Sequence, residues 1–377
     1  MIPSNYRPSK IIVDLKAIEY NVKEELRRLG EGKTLFAVVK ANGYGHGSVE
    51  VAKAAISAGA TGLCVSNLDE ALELRQTGLT VPILVLSYVS LEQLDLMIDN
   101  QITPVAPSVE WLKELSSLLK TPFQVHLKID TGMGRIGLYG VSEMLDAKQV
   151  IDQTPNIILE GLCTHFSTAD TKDTSHFELQ QERFNQALEI FGDEMLYIHT
   201  SNSATALWHN AWKSNMVRFG DAMYGMNPSG NELEPPYPLK QALSLETEII
   251  HVKEMQPGEK IGYGATYETS DKEWVATLPI GYADGFIRSF QGYEVIVEGI
   301  RTPIIGRICM DQCMIHLPKR LPVGTKVTIF GANQGVFNSV QSGAEYIKTI
   351  NYEVTCGLTD RLPRIYVNEP GGELRQN

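Results

Sequence analysis

LFAVVKANGYGHG, residues 35–47, opens with five apolar residues and then breaks into a lysine and a run of glycines. Leu35, Phe36, Ala37, Val38 and Val39 show no alternation, the pattern of a strand covered on both faces in a parallel sheet. Lys40 at its carboxyl end, followed by Asn42-Gly43-Tyr44-Gly45-His46-Gly47, puts an ammonium where mostly parallel α/β sheets keep their chemistry. Glycine leaves the backbone bare beside it. Taken alone, the stretch fits a lysine snorkelling out of a strand end equally well, so the decision rests on the chain around it.

Upstream, Asp14 is placed to cap a helix whose apolar residues Leu15, Ile18, Val22, Leu26 and Leu29 keep a helical period, with Gly30 as the stop. Downstream, β-prone runs at 62–66, 83–87, 102–106, 123–129, 157–165, 196–200 and 216–219 alternate with helical stretches. One of these begins at Asn67 with Glu70 as a capping-box-like pair. Together with the strand ending at Lys40 this makes eight strands alternating with helices, which predicts an α/β fold of the (β/α)8 TIM-barrel type.

Past Asn227-Pro228-Ser229-Gly230 the punctuation changes. NELEPPYP reads as a Pro-rich linker, and short runs at 243–252, 274–278, 293–298, 302–308, 313–317 and 326–330 follow, separated by turn signals. A mostly-β C-terminal domain with one helix over 340–350 is expected. The division is residues 1–235 for the barrel and 236–377 for the β domain, with the first ten or so residues packing against the latter.

The chain has 377 residues, 43% of them hydrophobic, enough for two cores. A net charge of −12 without a long basic cluster argues against a nucleic-acid partner. No signal-peptide-like or membrane-spanning apolar run is present, which points to a cytoplasmic protein with no membrane association. Five scattered cysteines suit reduced thiols.

A barrel enzyme gathers its polar residues at the carboxyl ends of its strands. Lys40 follows the first strand; Lys128, Asp130 and Arg135 follow the fifth; His165 closes the sixth; Asn202 and Ser203 follow the seventh; Arg218 lies near the end of the eighth. Each alone has a structural explanation, but their convergence on one circle does not.

These residues sit in motifs that resemble the alanine racemase family. The motifs are VVKANGYGHG, HLKIDTGMGRIG, Thr164-His165-Phe166, Asn202-Ser203, Val217-Arg218-Phe219-Gly220 with Tyr224-Gly225, Gly262-Tyr263-Gly264, Gly281-Tyr282-Ala283-Asp284-Gly285 and Gly306-Arg307-Ile308-Cys309-Met310-Asp311. Their order and spacing run nearly end to end. The resemblance implies a pyridoxal 5'-phosphate enzyme that interconverts L- and D-alanine, supplying D-alanine for cell-wall peptidoglycan.

Racemisation removes the Cα proton from one face and returns one to the other, so it needs an electron sink and two opposed bases. By the resemblance Lys40 forms the Schiff base with the cofactor and serves one face, and Tyr263 serves the other. A phenol of pKa about 10 is only about 0.1% ionised at pH 7, so positive neighbours must help, and His165 and Arg218 are the expected source. Arg218 resembles the partner of the pyridine nitrogen. Arg135 resembles the contact to the cofactor's phenolic oxygen and the substrate carboxylate, and Lys128 a lysine that is carbamylated in many members and then orients Arg135. Tyr44, Asn202, Ser203, Gly220, Asp221 and Tyr352 match the cofactor-binding positions. Asp221 departs from the apolar residue common there, and its side chain is expected to turn away from the phosphate. Met310, with Cys309 and Asp311, resembles the loop that binds the substrate carboxylate, and Tyr282 supports it. In the family Tyr263 and Met310 reach into the other subunit's site, which implies a homodimer with shared sites.

Two decoys are set aside. Gly132-x-Gly134-x-x-Gly137 fits a dinucleotide pattern but follows the fifth strand rather than opening a first βαβ unit. Cys309 and Cys313 with His316 lack zinc-finger spacing, so no metal is expected. A barrel-type amino-acid decarboxylase would carry a carboxylate in place of Arg218, and a single-barrel cofactor carrier would lack the β domain and Tyr263. A racemase for another small amino acid is the nearest rival.

Overall fold

The computed structural model describes residues 2–368. Eight parallel strands appear where the buried runs predict them: β2 Thr34–Val38, β3 Gly62–Val65, β4 Ile83–Val85, β5 Ile102–Ala106, β6 Phe123–Lys128, β7 Ile157–Cys163, β8 Tyr197–His199 and β9 Met216–Phe219. The preceding strand, β1, spans Lys10–Asp14. The barrel sheet runs β8-β7-β6-β5-β4-β3-β2-β9. Backbone bonds from Asn215 N–H to Ile198 O and from Arg218 N–H to Ser201 O, both 3.0 Å, close it between β8 and β9. Leu35, Phe36, Ala37 and Val38 of β2 are at most 5% exposed. Burying each of the larger three stabilises the fold by roughly 1.5–3 kcal/mol.

The first helix, α1, is Leu15–Leu29, and Asp14 caps it by accepting from Lys16 N–H at 3.0 Å. β1, just before it, was not anticipated as a strand. It pairs antiparallel with Leu243–Glu248 and parallel with Arg364–Val367, so both ends of the chain meet in the second sheet. That sheet runs His251–Met255, Glu273–Leu278, Cys313–Leu317, Ile300–Ile305, Glu294–Val297, Lys326–Asn333, Leu243–Glu248, β1 and Arg364–Val367.

Three boundaries differ from the sequence reading. The run over 243–252 is two strands, because Ile249 and Ile250 turn their N–H groups to Thr325 O and Thr277 O and carry the chain from one neighbour to the next. The single helix over 340–350 is two, Val340–Tyr346 and Asn351–Gly357, and Tyr352 lies on the second. The strand over 302–308 stops at Ile305, where Gly306 takes φ +67°. Residues 369–377 of the expected second domain lie outside the described residues. Among those described, no helix is long and apolar enough to cross a membrane.

Lys40 is positioned by the turn after β2 rather than by the strand itself. Ala41, Asn42 and Gly43 are all left-handed, at φ 51°, 53° and 59°, and Tyr44 follows at 52°. Such values cost non-glycine residues roughly 1–2 kcal/mol each, so the turn must be held from outside. Gly43 N–H reaches Val39 O at 2.8 Å, and Gly47 N–H reaches Asn42 O at 2.8 Å. The Asn42 side chain accepts from Ser48 N–H at 3.0 Å.

Candidate active site

The turn after β2 opens onto a cavity of about 770 Å3 at the carboxyl end of the barrel. Lys40, Tyr44, Lys128, Arg135, His165, Asn202, Ser203, Arg218, Gly220, Asp221 and Tyr352 all line it. Eight parallel strands deliver these side chains to one mouth, as a barrel does. Tyr352 comes from the second sheet's helix Asn351–Gly357, so that unit closes the cavity's side.

The cavity is cationic. Lys40, Lys128, Arg135 and Arg218 line it, and among the described residues none forms an ion pair with a carboxylate. Burial lowers the Lys40 pKa, and repulsion from Arg135 adds to that. Lys128 is pushed down to about 8, by burial above all and then by Arg218 and Arg135, against Cys163 and Asp130. Unpaired charges in a half-buried cavity cost free energy unless a ligand supplies the opposite sign.

Arg218 is 5% exposed and is held from behind. Its Nη1 bonds His199 Nδ1 at 2.9 Å, its Nη2 bonds Thr164 O at 2.9 Å, and Nη1 also bonds the His199 carbonyl. Burial and the positive charges of Lys128, Arg218, Arg135 and Lys40 hold the His165 pKa well below the ordinary imidazole value. Both effects favour its neutral form. That works against the expectation that it shares with Arg218 the task of supplying positive charge.

The glycine-rich loop 130–137 is shaped by one carboxylate. Asp130 accepts from Gly132 N–H at 2.9 Å, Gly134 N–H at 3.0 Å and Arg135 N–H at 3.2 Å. The GxGxxG spacing thus serves a loop that carries Arg135 to the cavity. At the opposite wall Gly220 donates its N–H to Ser203 Oγ at 3.0 Å, which leaves the hydroxyl proton free for a ligand. A Cβ on Gly220 would lie 2.7 Å from the Tyr44 hydroxyl, so a larger residue there would have to push Tyr44 aside. Asp221 is 2% exposed and neither carboxylate oxygen has a hydrogen-bond partner, although Tyr352 and Asn351 are polar neighbours that pull its pKa back down. Burial still raises that pKa well above the ordinary carboxylate value.

Five expected residues are not in the cavity: Tyr263, Tyr282, Cys309, Met310 and Asp311 stand on the second sheet's unit. Tyr263 is 64% exposed and Met310 53%. Tyr263 sits in the tight link between the short paired strands Lys260–Ile261 and Tyr267–Glu268. Tyr282 N–H bonds Cys309 O at 3.1 Å and Ala283 N–H bonds Met310 O at 3.0 Å, which locks the two loops together. Arg361 joins Asp284 at 3.4 Å to Asp311 at 2.8 Å beneath them. Within one chain this cluster does not meet Lys40.

Sequence reasoning missed His199, His126 and Glu160, which lie behind Arg218. His199 ends β8 next to Thr200 and was open to notice, but nothing local marks it as the support of an arginine nineteen positions on.

The fold and site define a barrel enzyme with a β unit, built round one lysine at the mouth of a cavity lined by four cations. The chain belongs to the alanine racemase family: residues 13–228 match the model of the alanine racemase N-terminal domain and residues 242–366 that of the C-terminal domain. It is 50% identical over 367 residues to an alanine racemase of Pediococcus pentosaceus, covering 97% of this chain and 98% of that one. A crystal structure of alanine racemase from E. faecalis superposes with a TM-score of 0.95 at 51% identity, covering 97% of this chain and all of that one. A histidine racemase from Leuconostoc mesenteroides subsp. sake gives 0.91 at 30% identity, covering 98% of this chain and all of that one.

Proposed function

We propose that this protein is a pyridoxal 5'-phosphate-dependent racemase that interconverts L- and D-alanine through two bases, Lys40 of one subunit and Tyr263 of the partner subunit. The observation that carries this is the convergence of Lys40, Lys128, Arg135 and Arg218 on one cavity without a carboxylate partner. A phosphate and a carboxylate together supply the missing negative charge. The Gly220 cradle and the free proton of Ser203 suit the phosphate.

In this reading residues 1–235 supply most of the cofactor contacts, and residues 236–377 provide Tyr352 and the second base. Lys40 is the covalent anchor. Tyr44, Ser203, Gly220 and Tyr352 would hold the phosphate, Asn202 would line the cofactor site, and Asp221 would contribute its backbone N–H while its carboxyl group stays off the phosphate. When bound, the cofactor supplies the electron sink for the pair left at Cα.

Lys40 takes or returns the proton on one face of Cα, and its lowered pKa favours the neutral amine that this role needs. Tyr263 of the partner subunit does the same on the other face. Arg218 would face the ring nitrogen and, staying protonated, would leave that nitrogen without a proton. That moderates the sink and disfavours side reactions such as transamination. Arg135 orients the carboxylate, with Met310 of the partner subunit; Tyr282, Cys309 and Asp311 keep the Met310 loop in shape. A homodimer with shared sites follows, since Tyr263 and Lys40 do not meet within one chain. Supplying D-alanine for the cell wall from the cytoplasm is the biological role that fits.

The test is incubation of cofactor-loaded protein with L-alanine in D2O, following optical rotation and deuterium at Cα together. Loss of rotation with deuterium gained and no carbon dioxide released is the expected result. Unchanged rotation without exchange overturns the reading.

A further inference from the structure

Behind Arg218 a line of three buried or half-buried side chains runs away from the cavity. Arg218 Nη1 lies 2.9 Å from His199 Nδ1, His199 Nε2 lies 2.7 Å from His126 Nδ1, and His126 Nε2 lies 3.2 Å from Glu160 Oε2. His199 and His126 are at most 1% exposed, and the Glu160 side chain is 15% exposed.

Donor chemistry fixes the direction of this chain. An arginine only donates, so His199 Nδ1 carries the lone pair and its proton sits on Nε2. That proton points at His126 Nδ1, which must accept, so the His126 proton also sits on Nε2 and points at the carboxylate. Both rings are neutral in this arrangement, and burial lowers the pKa of each. The direction ends on the one group that only accepts, the Glu160 carboxylate.

The backbone is built to place that group. β6 and β7 pair Val125 with Leu159 but His126 with Gly161, so Glu160 is the extra residue of a bulge. Bulges re-aim a side chain that regular alternation would send elsewhere. Gly161 completes the arrangement, because a Cβ there would lie 2.8 Å from His126 Nδ1.

We propose that Glu160 and His126 are positioning residues for the racemase reaction, fixing the tautomer of His199 and through it the orientation of the Arg218 guanidinium. This rests on the reading of Arg218 as partner of the cofactor's ring nitrogen. Without an acceptor at its end the line loses its direction: His126 and His199 can each hold the proton on Nδ1, and Arg218 then faces an N–H instead of a lone pair.

The experiment compares wild-type holoenzyme with Glu160→Gln and Glu160→Leu, reading visible circular dichroism of the bound cofactor, cofactor affinity, and kcat against KM for alanine. Glu160 is partly exposed, so both variants are expected to fold, and a thermal melt checks it. Gln keeps a carbonyl acceptor and is expected to stay within about twofold of wild type. Leu is expected to weaken cofactor affinity and kcat about tenfold, the scale of one lost hydrogen bond to a charged group, with a smaller visible dichroic band and little change in KM. A purely packing role would lower the melting temperature of both variants and leave the dichroic band alone. If wild type loads cofactor and Leu matches it in band and affinity, the inference falls while the site reading stands. Equal losses in Gln and Leu also overturn it, since charge rather than an acceptor would then be at work. If wild type takes up no cofactor, the ring-nitrogen reading falls and the inference with it.

Discussion

Ala41 donates its backbone N–H to Glu70 Oε1 at 2.7 Å, and the other Glu70 oxygen accepts from Ser66 N–H, also at 2.7 Å. One carboxylate thus ties the left-handed turn under Lys40 to the end of β3. Hydrogen bonds to charged groups contribute about 1.5–3 kcal/mol each. Glu70→Ala is expected to lower the unfolding free energy by about 2–3 kcal/mol, measured by urea titration, and to weaken cofactor retention. It also lowers the Lys40 pKa further, because Glu70 is a group that raises it. A loss below about 0.5 kcal/mol would show that the turn is held without this carboxylate.

Lys128 is the cation whose buried position most changes its chemistry. With a pKa pushed down to about 8, about one side chain in ten is a neutral amine at pH 7, against fewer than one in a thousand for an ordinary lysine. Only the neutral amine attacks carbon dioxide, so Lys128 is primed for carbamylation and the modified group would be an anion beside Arg135. Added bicarbonate at fixed pH is expected to raise activity, and protein in 13C-labelled bicarbonate to show a carbamate carbon signal that Lys128→Ala lacks. A signal of equal size in that variant would place the modification elsewhere.

Asp221 has the opposite problem, a carboxylate buried without a partner. Its folded pKa is raised well above the ordinary value, so protonation favours the folded state. The sign follows: the stability present below the unfolded pKa of about 4 declines as pH rises toward the folded pKa. Asp221→Asn removes that decline. Cofactor-free variant and wild type are expected to melt at similar temperatures near pH 4, and the variant to melt higher at pH 8. Equal melting temperatures at pH 8 would mean that Asp221 finds a partner in solution.

The barrel was legible because its strands are continuous buried runs such as TLFAV and GLCV with short connections, and because strand ends collect polar residues. Eleven of the expected site residues line one cavity for that reason. Pairings between distant segments were not legible. β1 and Arg364–Val367 are strands because they find each other from opposite ends of the chain. The line from Arg218 to Glu160 depends on a one-residue register slip between β6 and β7, which no local pattern encodes. The lowered pKa of His165 was hidden too, since it follows from burial and four cations brought near it by the fold.

Tyr263 is exposed and does not line the cavity that holds Lys40, and the proposed mechanism needs them together. Lys40→Ala is expected to lose the covalent anchor and all activity. Tyr263→Phe is expected to keep bound cofactor but lose racemisation, because its face of Cα has no base. The two variants also separate a shared site from a site within one chain. Co-expressed in equal amounts, random pairing makes about half the dimers mixed, and each mixed dimer has one site with both Lys40 and Tyr263. Activity should return to about one quarter of wild type. If the bases instead met inside one chain, every site in the mixture would lack one of them and no activity would return, so the assay decides where Tyr263 acts.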